Sequence, residues 1–169
     1  MKRILLLLVA LGASGAAHAI DFTLGFSPGG TALKDVVTAI DAAQEQVLVA
    51  AYEFTSEPVA QALVRAAARG VKVSLVMDEK ASKDRRAQAG FLAAHGVAVR
   101  IDGRYAIFHH KFLVVDGATV ETGSFNYTAS ADTRNAENAL VLRGVPDLAS
   151  AYQKEWQRLW AEARPWSAP

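Results

Sequence analysis

His109 and Lys111 stand two residues apart in the run His109-His110-Lys111-Phe112-Leu113-Val114-Val115-Asp116, and Gly123-Ser124-Phe125-Asn126 follows shortly after. In an extended segment side chains alternate, so His109 and Lys111 project from one face and His110 from the other. A neutral imidazole is a nucleophile, and an ammonium beside it neutralises phosphate oxygens. Ser124 and Asn126, also two apart, offer neutral hydrogen-bond donors, and Gly123 allows close backbone approach. A cation with neutral donors beside an imidazole describes a phosphate site. It is not a P-loop, because the chain contains no G-x4-G-K-[ST].

Each of these residues also has a plainer reading. His109 could be a satisfied surface histidine and Lys111 a solvated strand lysine. Ser124 and Asn126 could only build a turn. Adjacent strand residues diverge, which speaks against His109 and His110 as a metal pair. His95 sits beside Gly96 at an expected helix end, where an imidazole meets the helix dipole favourably, and reads as structural.

The elements that must position these residues alternate between strand and helix. Phe22 to Phe26 reads as a strand, and Pro28-Gly29-Gly30 as a turn. Thr31 is placed to cap a helix to about Ala43, with Leu33, Val36, Val37 and Ile40 inward. Val47 to Phe54 is a nearly continuous apolar run, suited to a strand covered on both faces. Ser56 is placed to cap a second helix, with Val59, Leu63 and Ala67 inward, which Gly70 stops. Val71 to Met77 is a further buried strand. The polar stretch Asp78 to Arg86 opens a third helix ended by Gly96, and Val97 to Ile101 is a short strand. Lys111 to Val115 and Thr119 to Thr122 form a hairpin turning at Asp116-Gly117. Ala136 to Leu142 is another strand. Pro146 opens a last helix to about Ala163, with Leu148, Tyr152, Trp156 and Leu159 inward, and the tail from Arg164 is expected to be loose. The repeated β-α-β pattern predicts an α/β fold: a mixed, largely parallel β-sheet flanked by helices on both faces.

The chain has 169 residues, of which 51% are hydrophobic and 21% charged, enough for one domain with a real core. Residues 1–19 have a basic start at Lys2 and Arg3, an apolar run from Ile4 to Leu11 and the small-x-small triplet Ala17-His18-Ala19. This predicts a signal peptide cleaved after Ala19, a single domain over 20–169, and a periplasmic or secreted protein with no stable membrane association after cleavage. Without Lys2 and Arg3 the chain carries 16 basic against 17 acidic residues, a net charge of −1. Attraction to a polyanion must then come from a local patch, for which Lys80, Lys83, Arg85, Arg86, Arg104 and Arg134 are candidates; a solvated helix face explains Lys83 to Arg86 equally well. The absence of cysteine excludes disulfides and thiolate metal sites.

Written as a pattern, the run is H-x-K-x4-D-x6-G-S-x-N, and it resembles the motif of the phospholipase D superfamily at every specified position. The segments FSPGG, VAAYEFTS, RGVKVSLVMDE and VETGSFNYTASADTRNAENALVL are similar to the small periplasmic endonucleases of that superfamily, so the likeness covers essentially the whole mature chain; it is loosest from Asp78 to Phe108. The resemblance implies that His109 attacks phosphorus to form a covalent phosphohistidine, and that Lys111, Ser124 and Asn126 hold the phosphate. It implies that Glu137 hydrogen-bonds the histidine and fixes its tautomer. Asp116 matches the motif's aspartate and is grouped with the catalytic residues, with a structural role at the hairpin expected. No metal or other cofactor is implied. A second histidine must protonate the leaving oxygen, yet H-x-K occurs once, which implies a homodimer sharing the site. The substrate implied is nucleic acid, DNA and possibly RNA. A lipid phosphodiesterase and a non-catalytic DNA-binding module are the alternatives.

Overall fold

A computed structural model describes residues 20–167. The expected leader and its cleavage after Ala19 lie outside the described residues. The strands are β1 (Asp21–Ser27), β2 (Gln46–Ala51), β3 (Lys72–Asp78), β4 (Ala98–Asp102), β5 (Lys111–Val115), β6 (Thr119–Gly123), β7 (Glu137–Arg143) and β8 (Arg164–Pro165). The helices are α1 (Thr31–Asp41), α2 (Glu57–Ala68), α3 (Ala89–Ala94), α4 (Ala129–Thr133) and α5 (Pro146–Glu162). The strands form one sheet in the order β1-β7-β6-β5-β2-β3-β4-β8.

The α/β class, the mixed sheet and the helices on both faces match the expectation. The parallel part is smaller than expected. Only β2–β3 and β3–β4 are parallel, and every other neighbouring pair is antiparallel. The reason lies in two crossings. β1 runs to the far edge and pairs with β7 rather than with β2, and the segment after β4 returns the chain to lie antiparallel against β2 as β5.

Two apolar layers flank the sheet. On one face Val36 and Ile40 of α1, Leu63 of α2 and Leu92 of α3 pack over Val47, Val49, Leu75, Leu113 and Ala139. On the other, Trp156 and Leu159 of α5 cover Leu48, Ala50, Val76, Phe112, Val114 and Val120. The indole N–H of Trp156 donates to the Val49 carbonyl at 2.9 Å, which satisfies its one buried polar group.

Several local expectations change. Thr31 does not cap α1; its hydroxyl donates to the Phe26 carbonyl and accepts from the Phe26 amide, tying the helix start to β1. Ser56 occupies the N-cap position of α2 without a capping side-chain bond. The polar stretch after β3 forms only a 3-10 turn at Ala81–Lys83, and α3 begins at Ala89, because Asp78 and Asp84 spend their carboxylates on local backbone amides. Leu148 is exposed rather than inward, and Ala149 takes the buried position. The tail to residue 167 is not loose: β8 pairs with β4, Arg164 contacts Glu79, and Trp166 donates to the Val99 carbonyl.

The hairpin between β5 and β6 turns at Asp116 and Gly117, both at positive φ. The Asp116 carboxylate accepts from the amides of Gln44, Glu45 and Gln46 at 2.8 to 2.9 Å, clamping the α1–β2 connection to the hairpin. It sits at the opposite end of β5 from Lys111, so it is not a catalytic residue. Partial desolvation works to raise its pKa, but the three amides prevail and hold it below the usual aspartate value. A carboxylate so lowered stabilises the fold above its unfolded value, and that stability is lost as pH falls through the folded value. Asp116→Ala is expected to lower unfolding stability by about 2 to 3 kcal/mol at neutral pH, read by urea denaturation, with the deficit shrinking in acid. An unchanged denaturation midpoint at pH 7 would remove the clamp assignment.

Candidate active site

A cavity of about 800 Å³ opens where β5 begins and β6 ends, and His109, Lys111, Ser124, Asn126 and Glu137 all line it. It extends along Phe112, Thr122 and Tyr152 beneath α5. Five of the six residues singled out from the sequence are therefore brought together, and Asp116 is not.

Burial directs His109 and Lys111. Phe108 and Phe112 are buried on the α5 side, with the His110 ring edge-on between them at 5.4 and 5.5 Å. The alternate residues, His109 and Lys111, are turned the other way, as alternation predicts. Both meet Tyr52 at the end of β2. Its ring lies 5.0 Å from the His109 ring, and the Lys111 ammonium lies 5.4 Å from its centroid. The Tyr52 amide donates to the His110 carbonyl at 2.8 Å, and the Phe108 amide donates to buried Asp78 at 2.9 Å. These two bonds hold the segment leading into β5 against β2 and β3. Lys111 Nζ donates to the His109 carbonyl at 2.9 Å. Burial lowers the Lys111 pKa, with Glu137 and Glu53 opposing it. The two carboxylates help keep the ammonium charged, and partial desolvation strengthens its attraction to a phosphate.

The second arm of the site depends on close approach. A Cβ at Gly123 would lie 2.2 Å from the Asn138 carbonyl oxygen, so only glycine lets β6 run this near β7. Ser124 and Asn138 then bond reciprocally: the Ser124 amide donates to Asn138 Oδ1 at 3.0 Å and the Asn138 amide to Ser124 Oγ at 3.1 Å. The Ser124 hydroxyl proton stays available to an anion. Asn126 has a buried side-chain oxygen with no hydrogen-bond partner among the described residues. That oxygen is an acceptor; the carboxamide N–H2 is the group able to donate to an anion in the cavity.

Glu137 reaches the cavity but accepts from Asn135 Nδ2 at 2.9 Å. Among the described residues it makes no hydrogen bond to His109, so the tautomer-fixing contact is not formed within this chain. Instead its charge acts on Lys111. His110 also lines the cavity, facing Glu155, which Arg158 holds. Burial lowers the His110 pKa, Glu155 opposing. His95 has its Nδ1 2.7 Å from the Phe91 carbonyl and its ring against Phe91, away from the site, as expected for a structural residue. Of the candidate cations, Lys80, Lys83 and Arg86 line a second cleft that shares Tyr52 with the site. Lys83 is paired with Glu79 and Arg86 with Asp84.

Tyr52, Tyr152 and Glu155 are site residues that the sequence reading missed. Tyr52 lies inside an apolar strand run and was indistinguishable from core. Tyr152 lies on the inward face of α5 at the point where that face meets the cavity, a position that helical periodicity does not separate from core. No spacing rule marked Glu155.

Among the described residues no group of three or more His, Asp and Glu is placed to hold a metal ion. The arrangement offers an imidazole nucleophile, a cation and two neutral donors around one space, which suits displacement at the phosphorus of an ester.

Comparison with known proteins agrees. The family described as cardiolipin synthase, phospholipase D-like domain, matches residues 36–160. A phospholipase D of Rickettsia conorii is 36% identical over 78% of this chain and 65% of that protein. A mitochondrial cardiolipin hydrolase of Xenopus laevis is 40% identical over 73% of this chain and 58% of that protein. The chain thus spans less than two thirds of the length of these curated relatives. The crystal structure of Nuc from Salmonella typhimurium, a phospholipase D family member, superposes with a TM-score of 0.86 at 39% identity, covering 89% of this chain and all of that one. With the family match spanning most of its length, the chain belongs to the phospholipase D-like superfamily of phosphodiesterases.

Proposed function

We propose that this protein is an exported, sequence-nonspecific endonuclease that cleaves the phosphodiester bonds of DNA, and of RNA, through a covalent phosphohistidine, without a metal ion, at a site shared by two copies of the chain. The observation that carries the reading is the single cavity lined by His109, Lys111, Ser124, Asn126 and Glu137.

In the first step a neutral His109 nitrogen forms a bond to phosphorus as the bond to the leaving oxygen breaks. Lys111, Ser124 and Asn126 stabilise the charge on the non-bridging oxygens. The leaving oxygen takes a proton from a second, charged imidazole. That imidazole then removes a proton from water, whose oxygen attacks phosphorus and releases His109. Lys111 and the neutral donors supply the charge stabilisation that a metal would otherwise provide.

The second imidazole is the reason for proposing two copies. The open surface beside the site supports it. Phe22, Leu24 and Phe26 of β1 are 57%, 47% and 55% exposed and form one row. Through Leu140 of β7, Leu24 is in register with Thr122 at the cavity wall. Such a row is suited to burial against a second chain, with symmetry bringing the two His109 residues together.

Nucleic acid is favoured by the likeness to small endonucleases in the segments around the motif. Among the described residues no helix is long and apolar enough to cross a membrane. A phospholipid substrate is the second reading, favoured by the names of the curated relatives and by the exposed apolar row.

His109→Ala is expected to abolish turnover of plasmid DNA while gel-shift binding persists; substantial residual cleavage would remove the nucleophile. Wild-type cleavage is expected to persist in EDTA with a bell-shaped pH profile from the paired imidazoles; activity lost to chelation and restored by one divalent ion would contradict the metal-free scheme. Leu24→Glu is expected to give a monomer by sedimentation and to lose activity; a fully active monomer would sink the shared site. Liposomes of anionic phospholipid beside plasmid separate the two substrates. Failure to hydrolyse bis(p-nitrophenyl) phosphate as well would favour a non-catalytic DNA-binding module.

A further inference from the structure

Glu121 is fully buried, an unusual place for a carboxyl group. It lies on β6 between Leu113 of β5 and Val141 of β7, both apolar and fully buried. The helical residues packed on this face, Val36 and Ile40 of α1 among them, are apolar too. By register, Glu121 sits one side-chain row inward of Lys111 on the same face of the sheet. Lys111 is the charged residue of the next row outward, and Glu137 lies one row beyond it. Its Oε2 accepts from the Tyr127 hydroxyl at 2.6 Å, while Oε1 has no partner among the described residues.

The position of this bond gives it a function. Glu121 lies two residues before Gly123, and Tyr127 directly follows Asn126. One hydrogen bond between fully buried side chains therefore closes the loop that carries Ser124 and Asn126. Tyr127 is held in turn on its other sides. Its ring meets Phe54 at 5.6 Å and Phe125 at 6.5 Å, and its carbonyl accepts from the amides of Thr55 and Ser56 at 2.9 and 2.8 Å. The residue thus joins the phosphate loop to the β2–α2 connection just beyond Tyr52.

We propose that the Glu121–Tyr127 hydrogen bond is a clasp that sets the position of Ser124 and Asn126, which makes both buried residues positioning residues for phosphate binding. The proposal rests on the reading of Ser124 and Asn126 as phosphate ligands. It explains why a polar pair persists where a Leu and a Phe would pack: two apolar residues would leave the loop without a directional tie. Burial pushes the Glu121 carboxyl up to about 8, with the Tyr127 bond acting against it, so the group is neutral around pH 7. In the unfolded chain it ionises near 4.5. The folded state therefore holds a proton that the unfolded state has lost, and stability falls as pH rises from about 4.5 to about 8, then levels.

The test compares wild type, Tyr127→Phe, Glu121→Gln and Glu121→Met by calorimetric titration with inorganic phosphate, by kcat and KM on bis(p-nitrophenyl) phosphate, and by melting temperature against pH. Glu121→Gln keeps a carbonyl acceptor for the Tyr127 hydroxyl and is expected to bind phosphate within about twofold of wild type, with a flatter stability profile between pH 5 and 8. Tyr127→Phe and Glu121→Met are expected to weaken phosphate binding about tenfold. If Tyr127→Phe does not fold, the Gln-against-Met comparison at position 121 carries the same test. Phosphate affinity unchanged in Tyr127→Phe, or in Glu121→Met, overturns the clasp whatever the melting temperature does. Wild type that binds phosphate but hydrolyses no diester overturns the proposed activity and leaves the clasp to be judged by the phosphate titration. Wild type that binds no phosphate overturns both.

Discussion

The direction of two side chains, His109 and Lys111, is set by the residues that alternate with them. Phe108 and Phe112 are 1% and 2% exposed, and a shift of one residue in the entry to β5 would bring them out and drive His109 and Lys111 into the core. That exchange would remove two aromatic side chains from the layer under α5 and bury a charged ammonium without a partner, both costly. The chemistry at the end of the sheet is therefore held by hydrophobic register, and the hydrogen bonds from Tyr52 and Phe108 refine what burial has already decided. The same register explains His110. It faces the α5 side, so it meets Glu155 rather than Tyr52.

The candidate site residues were legible because a strand period of two and fixed spacings act over short distances. His109, Lys111, Ser124 and Asn126 needed only local geometry to be placed together. The Asp116–Gly117 turn was legible for the same reason. What could not be read was long-range. That Asp116 serves amides at positions 44 to 46 depends on where the α1–β2 connection lands. That Tyr52 lies beneath His109 and Lys111 depends on β2 being the neighbour of β5, a pairing across some sixty residues that no periodicity reveals. No local spacing marks Glu121 as fully buried; that depends on the long-range packing of this face and on the Tyr127 hydroxyl that it binds.

The crossing of β1 to the far edge has the largest consequence for function. A β1 paired with β2 would have had both faces covered, since α1 and α2 pack on one side of β2 and α5 on the other. At the edge beside β7, β1 is covered on one face by α1, while α5 packs over β2, β3, β4, β5 and β6. The uncovered face presents Phe22, Leu24 and Phe26 in a row that reaches the cavity wall. An exposed apolar edge strand invites association and is ordinarily blunted by charge, proline or a bulge. Here the row carries none of these, although Asp21, Thr23 and Ser27 show that polar residues are accepted at the alternate positions of the same strand. The bare row comes into register with Thr122 at the cavity wall, and the cavity's other imidazole, His110, is turned to the α5 side against Glu155 rather than toward His109. On the proposed two-chain reading, one topological choice accounts for both the unburied surface and the need for a second imidazole, since a second chain seated on the first would supply both at once.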